Sequence, residues 1–205
     1  MSAPPSGSPR ERGSYPKGVA RRQEILDRAI EVFATRGAQR TSLRAIASEV
    51  GVTHAALTHY FGSLEELLVA VYRESERRLD GDAPEAPDVS PAEMMRISAE
   101  ENREIPGMVQ LYSMLVATAL EDGHSAAQEF ATERFARLRE SMAERVRHLQ
   151  SAGRIRRDID AELVAALVIA ASDGLQAQWL LDATVDHEAA LAMLDRLLAA
   201  PPAED

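Results

Sequence analysis

The sequence predicts an all-α protein. Apolar residues recur at helical spacing, glycines and prolines interrupt that spacing at intervals, and no stretch alternates with the two-residue period of a strand. Composition agrees: aromatic residues are scarce at 4%, while the helix-forming alanine, leucine and arginine abound. With 205 residues, 45% of them hydrophobic, the chain can bury a substantial core in one domain or two small ones. The absence of cysteine excludes disulfides, thiolate metal sites and cysteine nucleophiles. No apolar run approaches the roughly 20 residues a bilayer span needs, and the N-terminus lacks a signal-peptide core. The expectation is a cytoplasmic protein with no membrane partner.

About nine helices are expected. Residues 1–15 are rich in proline, serine and glycine and read as a disordered tail. A first helix follows over about 17–36 and ends at Gly37, with Leu26, Ala29, Ile30 and Phe33 inward and Arg22, Glu24, Asp27 and Glu31 outward. Residues 41–61 read as two short helices joined at Gly51. In the first, Leu43, Ile46, Ala47 and Val50 form one apolar face. Glycine stops that helix because it takes a left-handed conformation without a Cβ penalty. Val52 plugs the corner and Thr53 caps the second helix, whose inner face is Leu57, Tyr60 and Phe61. His54, Ala55, Thr58 and His59 are left pointing elsewhere. This is a helix-turn-helix, whose second helix can enter a DNA major groove.

Ser63-x-x-Glu66 forms a capping box for the next helix, where Leu64, Leu67, Leu68, Val71 and Tyr72 carry the apolar pattern to about Asp80. Residues 81–89, with two prolines, a glycine and three acids, read as a linker. Ser90-Pro91-Ala92-Glu93 then starts a helix to about Glu104. Pro106-Gly107 breaks it, and another helix spans about 108–121, ending before Gly123. Ser125-x-x-Gln128 opens a long helix to about Ser151, stopped at Gly153. Asp160 caps an almost wholly apolar helix to about Leu181, Asp186 caps a last one to about Ala199, and Pro201 and Pro202 end it.

Charge divides along the same line. Residues 1–62 carry nine basic and five acidic side chains, a net of +4, and the remainder is acidic, giving −10 overall. Positive charge therefore accompanies the helix-turn-helix, as attraction to phosphate requires. Arg10, Arg12, Lys17, Arg21 and Arg22 read either as a flexible arm that reaches DNA or as a solubilising extension.

With the motif in place, the chain resembles the TetR family of transcriptional regulators. The resemblance rests on Ala29-Ile30-Glu31-Val32-Phe33-Ala34, Thr41-Ser42-Leu43-Arg44-Ala45-Ile46-Ala47 and Leu57-Thr58-His59-Tyr60-Phe61, and more weakly on residues 173–181. It implies an all-helical homodimer: a DNA-binding head over 16–80 with its motif at 42–61, and an effector-binding and dimerisation body over 81–205. By the same resemblance, Thr41, Ser42, Arg44 and Thr53 meet phosphate or base edges at helix starts. His54, Ala55 and Thr58 fall at base-reading positions, and His59 and Tyr60 at backbone-contact positions. Tyr60 also fits the core by its spacing. Two departures bear on affinity: Ala55 and Thr58 stand where glycine and tyrosine are common, and Leu64 replaces a frequent lysine.

In the body, Met94, Met108, Leu111, Tyr112, Leu115, Phe130 and Trp179 read first as ordinary core and second as an apolar effector pocket; methionine suits either, because it fills irregular space. Leu163, Leu167, Val168, Ala171 and Leu175, with Leu191, Leu194 and Leu198, cover enough of their helices to need burial on a second side. They are the expected four-helix dimer seam across a two-fold axis. The function these readings imply is a homodimeric repressor on a pseudo-palindromic DNA operator, released by an apolar small molecule. The alternative is a DNA-binding regulator without such an effector, controlled by a protein partner or acting as an activator. No catalytic arrangement, phosphate loop, cofactor motif or metal-spaced cluster appears, and His124, His148 and His187 are isolated.

Overall fold

The computed structural model describes residues 15–36, 43–82 and 88–201. These form α1 (Tyr15–Arg36), α2 (Leu43–Val50), α3 (His54–Phe61), α4 (Leu64–Asp82), α5 (Pro91–Asn102), α6 (Pro106–Thr118), α7 (Ser125–Ser151), α8 (Ala161–Leu181) and α9 (His187–Leu198). The only β pairing among the described residues is an isolated bridge between Ile155 and Ala199. The expected tail lies outside the described residues except for Tyr15, as do Gly37 and residues 83–87 of the expected linker.

Short oxygen-bearing side chains set most helix starts. Thr53 accepts from the Ala56 N–H at 3.1 Å, Ser63 from Glu66 at 3.1 Å and Ser90 from Glu93 at 3.0 Å. Asp160 and Asp186 accept from Leu163 and Ala189, both at 2.9 Å. Each satisfies a donor that the first helical turn leaves unpaired. At the end of α2, Gly51 has φ 71°; Val52 N–H bonds to the Ala47 carbonyl at 2.8 Å and Gly51 N–H to Ser48 at 3.3 Å. That pair is a Schellman closure, and the Arg28 guanidinium from α1 takes the Val50 carbonyl at 3.0 Å. The corner of the motif is thus held from both sides.

Three expected boundaries move. Pro106 starts α6 instead of merely breaking α5, because the first helical position needs no N–H. The helix expected to reach Glu121 ends at Thr118, where the chain tightens through Leu120 to Ala117 and Glu121 to Thr118 bonds of 3.1 and 3.0 Å. Ser125 is not the cap of α7. His124 holds that position without a side-chain cap bond, and Glu65 of α4 supplies the acceptor instead. One Glu65 oxygen takes the Ala127 N–H at 2.7 Å, and the other lies 2.8 Å from His124 Nδ1. Burial pushes this carboxyl up, but the Ala127 and His124 hydrogen bonds outweigh it and hold it below its usual range. Glu65→Ala is expected to cost about 1 kcal/mol and to speed amide exchange at Ala127 and Gln128, read by hydrogen-exchange mass spectrometry. Unchanged protection there would mean that water replaces the carboxylate without loss.

Two apolar clusters organise the protein. The first runs from Ile25, Phe33, Val50, Leu57 and Phe61 through Leu67 and Val71 of α4 to Leu111 and Leu115 of α6 and Phe130 of α7. The helix-turn-helix region and the upper body therefore share one core, with α4 as its middle layer. The second gathers Met142, Val146 and Leu149 of α7 with Val164, Val168 and Ile169 of α8. One expectation is corrected here: α8 does reach the length and apolarity of a bilayer span. Its side chains divide between this second core, with Val164, Val168 and Ile169, and an open face with Leu163, Leu167 and Leu181.

Candidate nucleic-acid interface

The candidate recognition surface is built by what α3 buries. Leu57 and Phe61 are sealed into the first cluster and Tyr60 is half-buried beside them, which leaves Thr53, His54, Ala55, Thr58 and His59 exposed. The Thr58 hydroxyl donates to the His54 carbonyl at 3.1 Å, so its proton is spent within the helix. What remains on offer is its methyl group and oxygen lone pairs. His59 meets the Tyr60 ring edge to face at 5.2 Å. Arg44 stands exposed on the first turn of α2. Thr41 and Ser42 lie outside the described residues. Leu64, where a phosphate-binding lysine was the expected pattern, is half-buried against the first cluster and serves packing.

The basic arm is corrected in part. Lys17, Arg21 and Arg22 belong to α1 and are not a flexible extension; Arg10 and Arg12 lie outside the described residues. Arg21 pairs with Glu24 at 2.5 Å, and the Arg22 guanidinium sits 4.8 Å above the Phe61 ring, bracing α1 against α3.

Below the surface, α1 and α4 are joined by a polar knot. Gln23 donates to Asp27 at 3.1 Å and to Glu74 at 2.8 Å, while Arg78 reaches both Asp27 and Glu74. Arg77 adds a two-point contact to Glu74. The hydrogen bond from Arg77 leads the forces that hold the Glu74 carboxyl at about 2, against a cost of burial. A carboxyl depressed in the folded state contributes fully above its ordinary value of 4.5, and that contribution fades as pH falls toward 2. With solvent screening of the exposed Arg77 allowed for, it is worth on the order of 1 kcal/mol. Urea unfolding at pH 7 and pH 3 should show Glu74→Gln losing less stability on acidification than the parent. Equal losses would assign the acid sensitivity elsewhere.

The expected dimer residues divide. Leu163 and Leu167 are 65% and 66% exposed, and Leu181 of α8 and Met193 and Leu197 of α9 are exposed as well. Ala171, Leu175, Leu194 and Leu198 are half-buried. Val168 and Leu191, at 0% and 1% exposed, are core residues of their own protomer and not part of the open face. Helical spacing could not separate Val168 from the exposed leucines, since both sides of α8 are apolar, and Leu181 escaped notice for the same reason. Of the expected pocket residues, Met108, Leu111, Tyr112, Leu115 and Phe130 come together in the first cluster. Met94 and Trp179 stand outside both clusters, and the Trp179 ring packs on His187 at 5.6 Å.

A helix-turn-helix with a polar recognition face, set on a larger helical body, defines a DNA-binding transcriptional regulator. Residues 25–71 match the bacterial regulatory proteins of the tetR family, and residues 109–201 match the C-terminal region of BetI-type transcriptional repressors. The chain belongs to the TetR family of transcriptional regulators. It is 25% identical to the HTH-type transcriptional repressor Rv1474c of Mycobacterium tuberculosis over 177 residues, 86% of this chain and 90% of that protein. It is 35% identical to the regulator BetI of Rhizobium meliloti over 79 residues, 38% of this chain and 39% of that protein. Among solved structures, the multidrug binding protein EbrR, complexed with imidazole, superposes with a TM-score of 0.61 at 29% identity over 94% of this chain and 98% of its own. Rv1474c and BetI are regulators of transcription, in keeping with a protein that is not an enzyme.

Proposed function

We propose that the protein is a homodimeric repressor that binds a pseudo-palindromic operator and leaves it when a small molecule enters the body. The carrying observation is the α3 surface: Thr53, His54, Ala55, Thr58 and His59 are exposed on a helix whose underside is locked by Leu57 and Phe61. An Ala or Thr methyl on that face suits a thymine methyl, and Arg44 suits phosphate or a base edge. Thr41, Ser42 and Tyr60 complete the proposed contact set. The open apolar surface on α8 and α9 supports dimerisation, with Leu163 and Leu167 at its centre and Ala171, Leu175, Leu194 and Leu198 at its margin.

Effector release follows from the shared core. A ligand that favours another packing of Met108, Leu111, Tyr112, Leu115 and Phe130 acts on α4 through the same cluster, and so on the spacing of the two recognition helices. Met94 and Trp179 belong to the proposed lining from α5 and α8. The match to BetI-type repressors and the imidazole held by EbrR support a ligand-controlled body. A second reading, regulation without a small molecule, draws on the near-complete burial of Met108, Leu111 and Leu115.

Footprinting of the protein on its own upstream intergenic DNA across a salt series tests the first reading. A protected pseudo-palindrome with steep salt dependence is the expected result. Protection of one half-site only, or affinity no better than for random DNA, counts against it.

A further inference from the structure

The stretch that carries the recognition helix has no fixed positive charge. From residue 45 to residue 72 the chain holds no lysine or arginine, while Glu49, Glu65 and Glu66 are acidic. His54 and His59 are the only basic side chains in that stretch, and both are exposed on α3. Leu64, just beyond the helix, is half-buried against the first cluster and adds no charge.

At about 100° of turn per residue, the exposed side of α3 runs His54, Thr58, Ala55, His59 from one edge to the other. The two side chains that suit a thymine methyl lie in the middle, and a histidine stands on each flank. The flanks of a helix seated in a groove are the sides that face the sugar–phosphate walls.

We propose that His54 and His59 are proton-linked DNA contacts: operator binding takes up protons at these two rings, so that affinity rises as pH falls from 8 to 6. The proposal rests on the reading of α3 as the helix in the groove and supplies the charge that helix otherwise lacks.

The surroundings leave both rings to the DNA. Among the described residues neither forms an ion pair with a carboxylate. Helices α2 and α4 pack against α3, and α1 reaches it through Arg22 on the Phe61 ring. The charged groups these bring are Arg44 and Glu49 from α2, Glu65 and Glu66 from α4, and Arg22 and Arg28 from α1. Glu65 is turned to the Ala127 N–H and His124, Glu66 folds back over Gly62, and Arg28 holds the Val50 carbonyl. The Thr58 hydroxyl bonds to the His54 carbonyl and not to its ring.

Histidine is the side chain that ordinarily changes charge between pH 5 and 8, and its protonated ring donates from both nitrogens. Phosphate oxygens and guanine O6 and N7 are acceptors, and the duplex around them is anionic. DNA therefore favours the protonated ring, and the complex binds more protons than its separate parts. The sign follows: the added affinity is complete at low pH and is lost as pH rises past the point where the bound rings release their protons. Arg44 keeps a component of binding that pH does not touch.

The test measures binding of the full-length protein to a labelled duplex of its own upstream intergenic DNA at pH 6, 7 and 8 and constant ionic strength, with a random-sequence duplex beside it. The parent should bind the intergenic duplex at least about 10-fold more tightly at pH 6 than at pH 8, and its salt dependence should steepen by about 1 for each histidine engaged. Titration calorimetry at pH 7 in two buffers of different ionisation enthalpy should show net proton uptake, a readout that needs no variant. His54→Gln combined with His59→Gln should shrink the pH effect to less than about 3-fold and remove most of the uptake. His59→Lys, whose charge is fixed, should bind more tightly than the parent at pH 8. Specific binding by the parent with no pH dependence and no proton uptake would overturn the proposal and leave the recognition reading standing. A double variant that keeps the parent's pH dependence would overturn it as well. No preference for the intergenic duplex at any pH would overturn both.

Discussion

Leu163→Glu combined with Leu167→Glu turns the protein into a monomer that binds its operator at least 100-fold more weakly. Both side chains stand about two-thirds exposed on one face of α8, so burying each against a second protomer is worth roughly 1.5 kcal/mol or more. The two substitutions remove that gain four times over per dimer and place four carboxylates across a two-fold axis. Neither leucine belongs to a protomer core, so helix content and the unfolding transition should hardly move. A charge at Val168 or Leu191 is the informative contrast, because those sites are sealed within the protomer and a carboxylate there should unfold it. Weak DNA binding then follows from geometry, since each monomer holds only one half-site. Light scattering coupled to size exclusion, with operator titration on the same sample, reads both effects. A double variant that remains dimeric would remove α8 from the interface.

What the sequence made legible was mostly local. Thr53, Ser90, Asp160 and Asp186 cap the helices that follow them because a short acceptor beside three free N–H groups needs no distant partner. Gly51 closes α2 for an equally local reason. The split of α3 into a sealed and an open side was readable too, since eight residues of helix allow only one inner face. Contacts between distant segments were not readable. Glu65 caps α7 from 62 residues away, and no pattern around Ser125 announces that its cap comes from α4. Arg22 looks like part of a basic arm until Phe61 is brought beneath it. The packing of Arg134 against Tyr72 and Tyr112, with Asp173 on the Tyr112 hydroxyl, is similar: it joins four helices, and although the sequence offered Tyr112 as a pocket candidate it could not show these partners. The proposed dimer face sits between these cases. Excess apolar surface on α8 was evident, but which leucines face outward depends on how α7 and α9 pack against it.

Ala55→Glu is expected to abolish specific DNA binding while leaving the fold and the dimer intact. Ala55 is the second residue of α3 and exposed, so a larger side chain can extend into solvent. An acid in the first turn of a helix is favourable to the helix itself, because it faces the positive end of the macrodipole. Stability should therefore hold or rise slightly. Against DNA the same charge is placed where phosphates line the groove, and it forfeits the methyl contact that alanine offers to thymine. A loss of at least 100-fold in operator affinity is expected, with a shallower dependence on salt as the favourable release of counterions is offset. Ala55→Gly should cost only a few-fold, since it removes one methyl and adds no charge. Thermal unfolding, light scattering and footprinting on one preparation separate the possibilities. If Ala55→Glu still protects the parent footprint at comparable concentration, α3 does not lie in the groove and the recognition surface must be sought elsewhere on the head.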